Sequence, residues 1–251
     1  MISATSTMMR RFSEHTPAFV KIDRLEPDHH AVVNATTRYP ATTRAPGLVG
    51  RVLKSGHNNR KIGAVVLKGR WAGMPIFTLT LEERATCPRS CLHWKDCFGN
   101  KMPFVERLHH GAPLEWALGS NLRVLARQHP LGFVVRTHVL GDFYSVAYVR
   151  RWLSWLRRIP ALRVFGYTAW PASSPIGAML RDASDRHWHR FAVRTSNGPH
   201  AERATRTLYQ HPDGPTVDGA IVCPAQTEAT ACCATCGLCW QARRNIAFLA
   251  H

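Results

Sequence analysis

The sequence is poor in acidic residues and has no long apolar run. Its 16 Asp and Glu stand against 33 Lys and Arg, so the net charge at pH 7 is +17. No stretch reaches the roughly 18 apolar residues that a membrane-spanning helix needs, and the start MISATSTMMRRFSEH lacks the apolar segment of a secretory signal. We therefore expect a cytoplasmic protein without a membrane partner, whose positive surface attracts phosphate-bearing molecules such as nucleic acid.

Several common catalytic motifs are also missing. The chain contains no GKS or GKT phosphate loop, no G-x-S-x-G nucleophile turn and no H-E-x-x-H zinc motif. No sequence repeat of fixed length is evident. Any chemistry must therefore be sought in less common residues, and cysteine is the residue type that is unevenly distributed.

Cysteine occurs in two separate groups. The first group has the spacing C-x3-C-x5-C, and the second is a burst near the end of the sequence. Such a set is either a disulfide framework in a secreted protein or a set of metal ligands in a reducing cell. Because the second group is too tightly spaced for ordinary disulfides, we favour metal binding by Cys87, Cys91, Cys97, Cys223, Cys232, Cys233, Cys236 and Cys239.

The second group favours an iron–sulphur cluster. Cys233, Cys236 and Cys239 form C-x2-C-x2-C, a run that wraps one loop around three corners of a cluster, and the fourth cysteine of such sites is often followed by proline, as in Cys223-Pro224. Zinc sites more often use two separated pairs, although zinc and a redox disulfide stay open as alternatives. The sequence leaves undecided whether Cys232 or Cys233 is the ligand.

The first group has no fourth cysteine nearby. A site with three thiolates leaves one metal corner open for water, substrate or cofactor, as in metal centres that perform chemistry. The alternative is a closed site, completed by His93 or by a cysteine of the second group. His93 by itself is more typical of a packed or surface residue than of a ligand.

Strand-like and helix-like segments alternate between the two cysteine groups. The hydrophobic patterns predict strands over 64–67, 77–81, 133–140, 162–168, 191–194 and 220–222, and helices over 112–127, 145–158, 175–180 and 200–209. This order predicts an α/β fold with parallel strands, either a partial (β/α) barrel or a parallel-sheet domain. Functional residues should then lie at the carboxyl ends of the strands, where Cys87, Asp142, Thr168, Thr195 or Ser196, and Cys223 are found.

The chain divides into three predicted parts. Residues 1–47 show no helical or strand period and are predicted to form a disordered, mobile N-terminal arm. Residues 48–222 form the α/β core with the first cysteine loop. Residues 223–251 form a cysteine-rich metal-binding segment that packs on this core.

Seven segments resemble a known family. HNNRKIG, GMPIFTLTLEERATCP, CFGNKM, VVRTHVLGDFYSVAYVRRWL, VFGYTAW, VCPAQT and CGLCW look like segments of the phage- and plasmid-associated gene product 88 family. The resemblance extends from about residue 56 to residue 240. It implies paired cysteine motifs, but no secure activity.

The same arrangement is similar to that of radical S-adenosylmethionine enzymes, in which a strand, a three-cysteine loop, a helix and a second strand follow one another. That resemblance implies a 4Fe–4S cluster on Cys87, Cys91 and Cys97, with an open iron for S-adenosylmethionine. Gly141 and Asp142 stand where the superfamily has its Gly-Gly-Glu-like motif, which binds the amino group of the cofactor. The spacing differs, because that superfamily has C-x3-C-x2-C and Glu in place of Asp142.

Two functional hypotheses result from the sequence. In the first, the chain is an iron–sulphur protein acting on an unknown small-molecule or macromolecular substrate, with Asp142 and His138 as candidate catalytic residues; a hydrogen-bonded core histidine is the simpler interpretation of His138. In the second, it is a basic nucleic-acid-binding protein of a mobile element with structural zinc or iron–sulphur sites, and the arginines of the helix over 145–158 contact phosphates. An inactive descendant that only binds metal is a third option.

Overall fold

The alternation of strands and helices is present in the structure. The computed structural model describes residues 20–198 and 203–250. The strands are β1 (Thr43–Arg44), β2 (Lys54–Ser55), β3 (Ile76–Thr78), β4 (Arg107–Leu108), β5 (Phe133–Thr137), β6 (Leu162–Thr168), β7 (Phe191–Ser196), β8 (Ala204–Leu208), β9 (Thr216–Val217), β10 (Ala220–Val222) and β11 (Ile246–Leu249). The α-helices are α1 (His30–Val33), α2 (Ala112–Gln128), α3 (Val146–Arg158), α4 (Pro175–His187), α5 (Cys233–Cys236) and α6 (Leu238–Gln241).

Nine of the strands form one sheet, in the order β2-β3-β5-β6-β7-β8-β11-β10-β9. All neighbours from β3 to β10 are parallel, and only the outermost strands β2 and β9 are antiparallel to their partners. In the described residues no pairing joins the two edges. The α/β prediction with a parallel sheet is therefore confirmed, as an open sheet rather than a closed barrel.

Both faces of the central strands are buried. Val135 and Val164 point towards the helices α2, α3 and α4, whereas their neighbours Val134 and Phe165 face the opposite side. There they pack with Trp240 and other residues of the C-terminal cysteine region. This two-sided burial explains why these strands read as continuous apolar runs, as parallel sheets commonly do.

The helices begin and pack as their sequences predict. Pro113 lies in the first turn of α2, and Leu114, Leu118 and Leu122 of that helix are fully buried. Each such leucine contributes about 2 kcal/mol through the apolar area that it removes from water. The Ser145 hydroxyl accepts the backbone N–H of Tyr148 and so caps α3.

Two predicted elements are wrong. The segment 200–209 was expected to be helical, but Ala204–Leu208 is the strand β8, because its threonines and arginine alternate between the two faces of the sheet; residues 199–202 lie outside the described part of the chain. The segment 64–67 forms only an isolated bridge between Val65 and Pro75. The strand β11 was not foreseen.

The ends of the chain also differ from the predicted division. Residues 1–19 lie outside the described residues, but residues 20–47, assigned to the mobile arm, pack on the protein. Ala31 is fully buried, and the Thr37 hydroxyl donates to the buried Glu83 carboxylate. The segment 223–251 does more than pack on the core, because its strand β11 lies inside the central sheet. In the described residues no helix has the length and apolar character of a membrane span.

Candidate functional site

The first cysteine loop, residues 82–106, lies between Leu81 and β4, and an isolated bridge joins Leu81 to Leu108 of β4 at its base. Its two ends are joined by a buried ion pair, in which Arg107 Nε lies 2.7 Å from Glu83 Oε2 and both side chains are fully inaccessible. The guanidinium of Arg107 also donates to the backbone carbonyls of Gly99, Met102 and Val105. One arginine therefore fixes the conformation of a loop that has little regular secondary structure.

Inside the loop a second arginine performs a similar role. Arg84 donates to the carbonyl of Trp94 at 2.8 Å and to the side-chain oxygen of Asn100 at 2.7 Å. The amide of Asn100 in turn donates to the carbonyls of Asp23 and Lys95. This network ties the loop to the segment that precedes the sheet.

The thiols of this loop influence one another electrostatically, and their ionised forms are poorly stabilised by the protein. Burial raises the pKa of Cys87, and the negative charges of Asp142, Cys97 and Cys91 raise it further. Burial also raises the pKa of Cys91 to about 11, and burial followed by the Glu83 carboxylate raises the pKa of Cys97 to about 12. Ionisation of these thiols is therefore unfavourable in the protein alone, and a metal ion would supply the charge that favours it.

Gly141 and Asp142 lie directly against the start of the first cysteine loop. The Thr86 hydroxyl accepts the backbone N–H of Asp142 at 3.1 Å, and a Cβ at Gly141 would stand 2.5 Å from the same oxygen. With φ at +83°, this position favours glycine for both conformational and steric reasons. The glycine thus permits the close approach of the two segments.

The carboxylate of Asp142 connects two strand ends. It accepts the backbone N–H groups of Phe143 and Ala169, both at 2.7 Å, and it is only 2 % exposed. Burial raises the pKa of Asp142 to about 7, although these hydrogen bonds act in the opposite direction. Asp142 therefore lies close enough to Cys87 for its charge to raise the pKa of that thiol, and its hydrogen bonds fix the loop after β5.

His138 lies on the other side of this segment, in the core. Its Nε2 is 3.2 Å from the Tyr148 hydroxyl, and its ring packs against Phe143. Burial lowers the pKa of His138 to about 3, with a further contribution from Arg136. The low pKa favours the neutral imidazole. These contacts agree with the prediction that His138 is a hydrogen-bonded core histidine.

The C-terminal cysteine segment, residues 223–241, brings four thiols around one small cavity. The cavity is lined by Cys223, Cys233, Cys236 and Cys239, together with Pro224 and Gly237. Cys232 is not among the described residues that line it. Its sulphur instead accepts the backbone N–H of Thr235 and packs closely on Gly63. The arrangement thus separates Cys233, which faces the cavity, from Cys232, which caps α5.

These thiols also raise one another's pKa. Burial raises the pKa of Cys223 to about 11, with a contribution from Cys239, and burial followed by Cys239 and Cys223 raises that of Cys233. Lys61 acts against both shifts. The Tyr167 hydroxyl lies 2.8 Å from the sulphur of Cys239. As in the first loop, few positive groups of the protein stabilise the thiolates.

Arg194 organises the backbone of this segment, and the sequence analysis missed it. Its side chain is fully buried and donates to the carbonyls of Leu238, Cys239, Ala242 and Arg244. The signal was present, because a charged residue inside the apolar strand FAVRTS has to find polar partners. The same reasoning applies to Arg136 in FVVRT.

A cavity of about 340 Å³ lies between the two cysteine groups, at the carboxyl ends of the parallel strands. It is lined by Cys97 of the first cysteine loop and by Cys223 and Cys233 of the C-terminal segment. Ser196 at the end of β7 and Asn197 just after it also line the cavity. Of the residues predicted to lie at this edge of the sheet, Ser196 and Cys223 line the cavity, whereas Cys87, Asp142 and Thr168 are not among its lining residues.

His93 lines this cavity but has its own hydrogen-bond partners. Its Nδ1 is 3.2 Å from the Asp96 carboxylate, and its Nε2 is 2.8 Å from the Thr207 hydroxyl. Both ring nitrogens are engaged, which agrees with a packing role. Among the described residues no three His, Cys, Asp or Glu side chains are placed to hold a single metal ion in common.

Fold and site together define an α/β protein with a parallel open sheet and a cavity that is lined by cysteines of both groups. A family model described as gene product 88 matches residues 52–184, more than half of the chain. The chain therefore belongs to the gene product 88 family. No curated protein and no solved structure matches it.

Proposed function

We propose that the protein binds iron–sulphur clusters at both cysteine groups and that the first group is the centre of an enzyme active site. The observation that carries this proposal is the cavity lined by Cys223, Cys233, Cys236 and Cys239. Four thiols around one cavity, with Pro224 after the distant one, is the ligand set of a four-iron cluster. In a cluster each thiolate binds a different iron, so the sulphurs need not converge on one point as they do around a single ion.

The residues of both groups fit such a cofactor. Their thiols have raised pKa values and few compensating cations, so metal binding removes an unfavourable concentration of negative charge. When bound, a four-iron cluster supplies one-electron transfer and, at a corner without a protein ligand, an iron for a small molecule. Cys87, Cys91 and Cys97 would leave one such corner, whereas the C-terminal set would leave none.

The finer proposal is that the open corner takes S-adenosylmethionine, with Gly141 and Asp142 beside it. In support, the negative charge of Asp142 raises the pKa of Cys87 in addition to the effect of burial. Its carboxylate accepts two backbone N–H groups and has capacity for a further donor such as an amino group. A cytoplasmic location is part of the same proposal, because reduced thiols persist there.

The proposal is tested by measuring iron, sulphide and zinc on protein purified without oxygen. Two filled sites give roughly eight irons and eight sulphides per chain, and exposure to oxygen bleaches the visible absorption. One or two zinc ions without iron would overturn the iron–sulphur assignment. Reduction in the presence of S-adenosylmethionine should then release 5′-deoxyadenosine; if iron-loaded protein releases none, the finer proposal is lost.

Nucleic-acid binding is the second candidate, and the exposed arginines of α3 favour it. Arg150, Arg157 and Arg158 are all exposed on this helix. Trp152 is fully buried and Trp155 packs against the core, so these aromatics are not available for base stacking. Binding through phosphates alone should fall steeply with salt, and the change Arg157→Gln with Arg158→Gln should reduce that slope by about 2. Unchanged binding in the double variant would contradict this candidate.

A further inference from the structure

The cavity between the cysteine groups is lined by two positively charged side chains. Lys61 and Arg136 both line it. Asp96 is the only acidic side chain among the described residues that line it, and its carboxylate already contacts His93 and Tyr209. No ion pair of Lys61 or Arg136 with a carboxylate is found in the described part of the chain. Burial lowers the pKa of Arg136, and the charge of Asp142 is among those that act in the opposite direction. Two cations in a recessed space, neither of them in an ion pair with a described residue, indicate an anionic occupant.

The two cations lie at either side of an aromatic pair. The guanidinium carbon of Arg136 is 4.5 Å from the ring centre of Tyr167, and the Lys61 ammonium is 6.0 Å from that of Phe248. The two rings meet edge to face, with centres 5.5 Å apart. The pair therefore offers an apolar surface with a cation near each of its two rings.

The guanidinium of Arg136 has donors to spare. Within residues 20–198 and 203–250 it donates one hydrogen bond, to the carbonyl of Thr137 at 2.7 Å, of the five that an arginine can make. The cavity wall adds neutral hydrogen-bonding groups from Asn59, Asn197 and Thr205. Its volume of about 340 Å³ is at the lower end of the range for small-molecule sites.

We propose that this cavity binds a small organic anion, with its phosphate or carboxylate group at Lys61 and Arg136 and a flat apolar body against Tyr167 and Phe248. The inference rests on the proposed function, since it names the class of ligand that lies beside the metal-binding thiols. The competing role of the two cations is to compensate only the thiolates of Cys223 and Cys233.

The test uses the full chain, purified without oxygen, and three matched probes: 1-naphthyl phosphate, 1-naphthoate and uncharged 1-naphthol. Equilibrium dialysis should show that at least one anion binds about tenfold more tightly than 1-naphthol, because a charge-assisted bidentate hydrogen bond is present only for the anion. The preferred anion identifies the anionic group. Equal binding of all three probes, or binding of neither anion, overturns the inference.

Variants separate ligand binding from compensation of the thiolates. Arg136→Gln should weaken anion binding about tenfold without changing 1-naphthol binding, and Arg136→Lys should recover only part of the loss, because lysine restores the charge but not the bidentate geometry. Lys61→Gln should have a smaller effect of the same kind. Arg127→Gln, an exposed arginine in the last turn of α2, is the matched control and should bind like the unmodified protein. If folded Arg136→Gln protein binds the anion as the unmodified protein does, the two cations only compensate the charge of the thiolates, and the inference is overturned.

Metal content is measured on the same samples, so the two proposals can fail separately. Iron-loaded protein that does not distinguish 1-naphthyl phosphate or 1-naphthoate from 1-naphthol overturns the anion site and leaves the cluster proposal standing. Protein without iron that still binds an anion through Arg136 supports the anion site and removes the cluster proposal.

Discussion

The two cysteine regions face the same cavity but are built differently. The first cysteine loop depends on charged side chains, because Arg107, Glu83 and Arg84 are buried within it and hold its backbone. The C-terminal cysteine segment is held by backbone hydrogen bonds within two short helices and by the side chains of Arg194 and Arg70, which donate to its backbone carbonyls. The first presents three thiols and the second presents four around one cavity.

Under the iron–sulphur proposal, this difference divides the roles of the two regions. A closed set of four thiolates would satisfy a cluster completely, which suits the second region to electron transfer or to structural support. An incomplete set of three would have capacity for another molecule, and the buried ion pair of Glu83 and Arg107 would hold its loop in place.

The largest effect is expected from removing a cavity-facing thiol of the C-terminal segment. Cys233→Ser should lower the iron content by about half, because one cluster loses a corner while the first site is untouched. Cys232→Ser is the matched control and should retain its iron, since Cys232 faces Thr235 and Gly63. Iron and sulphide analysis of anaerobic protein measures both, and equal losses would contradict the assignment of Cys233 as ligand.

The next effect concerns the ion pair at the base of the first loop. Arg107→Met should lower the free energy of unfolding by about 3–5 kcal/mol, because the buried Glu83 carboxylate loses its only ion-pair partner among the described residues. Lys54→Met removes the exposed Lys54–Glu106 pair and should cost at most about 1 kcal/mol. Urea denaturation of both variants measures the difference. Similar midpoints for the two would show that the buried pair does not support the loop.

A smaller loss is expected in the second region. Arg194→Met should lower the free energy of unfolding by roughly 2–4 kcal/mol, because several carbonyls of the cysteine segment lose their donor. Iron analysis of the folded variant should show the loss at the C-terminal site and not at the first. Loss from both sites in equal measure would mean that the two regions are not independent.

The smallest effect, measured per pH unit, concerns the stability contribution of the buried His138 in the core. His138 is buried with its pKa lowered to about 3, so the unfolded chain binds a proton below about pH 6.5 that the folded protein does not. Stability should therefore fall as pH decreases from 6.5 towards 3, and His138→Gln should reduce this slope by about 1.4 kcal/mol per pH unit between pH 5 and 4. Tyr148→Phe keeps the imidazole and should keep the slope.

Urea midpoints at several pH values measure these slopes. A His138→Gln variant with the same slope as the unmodified protein would mean that the ring gains a proton inside the folded core.

Much of the fold could be predicted because local pattern and burial agree. The stripe of leucines in α2, the Ser145 cap and the apolar strands β5, β6 and β7 each identify their element from short stretches of sequence. The strand β8 was misjudged because its neighbours β7 and β11 determine its conformation. The strand β11 carries too few residues to be separated from the cysteine segment before it.

The sequence allowed the residue types of the candidate site to be predicted, but not the atoms that each side chain contacts. Strand ends and cysteine spacing place the thiols, Gly141 and Asp142 at one edge of the sheet. The choice between Cys232 and Cys233 depends on which sulphur faces Gly63, a contact made across distant parts of the chain. The roles of Arg107 and Arg194 depend on carbonyls that only the folded loops present.

The position of β11 has a consequence for the order of assembly. This strand follows every cysteine in the chain, yet it lies between β8 and β10 in the sheet. The strands β9 and β10, with Cys223 at their end, can therefore join the sheet only after β11 has docked. During synthesis the thiols of the C-terminal segment emerge before the strand that locks them in place. Under the proposed function, the C-terminal cluster would be loaded in the interval between these two events, while the segment is still accessible.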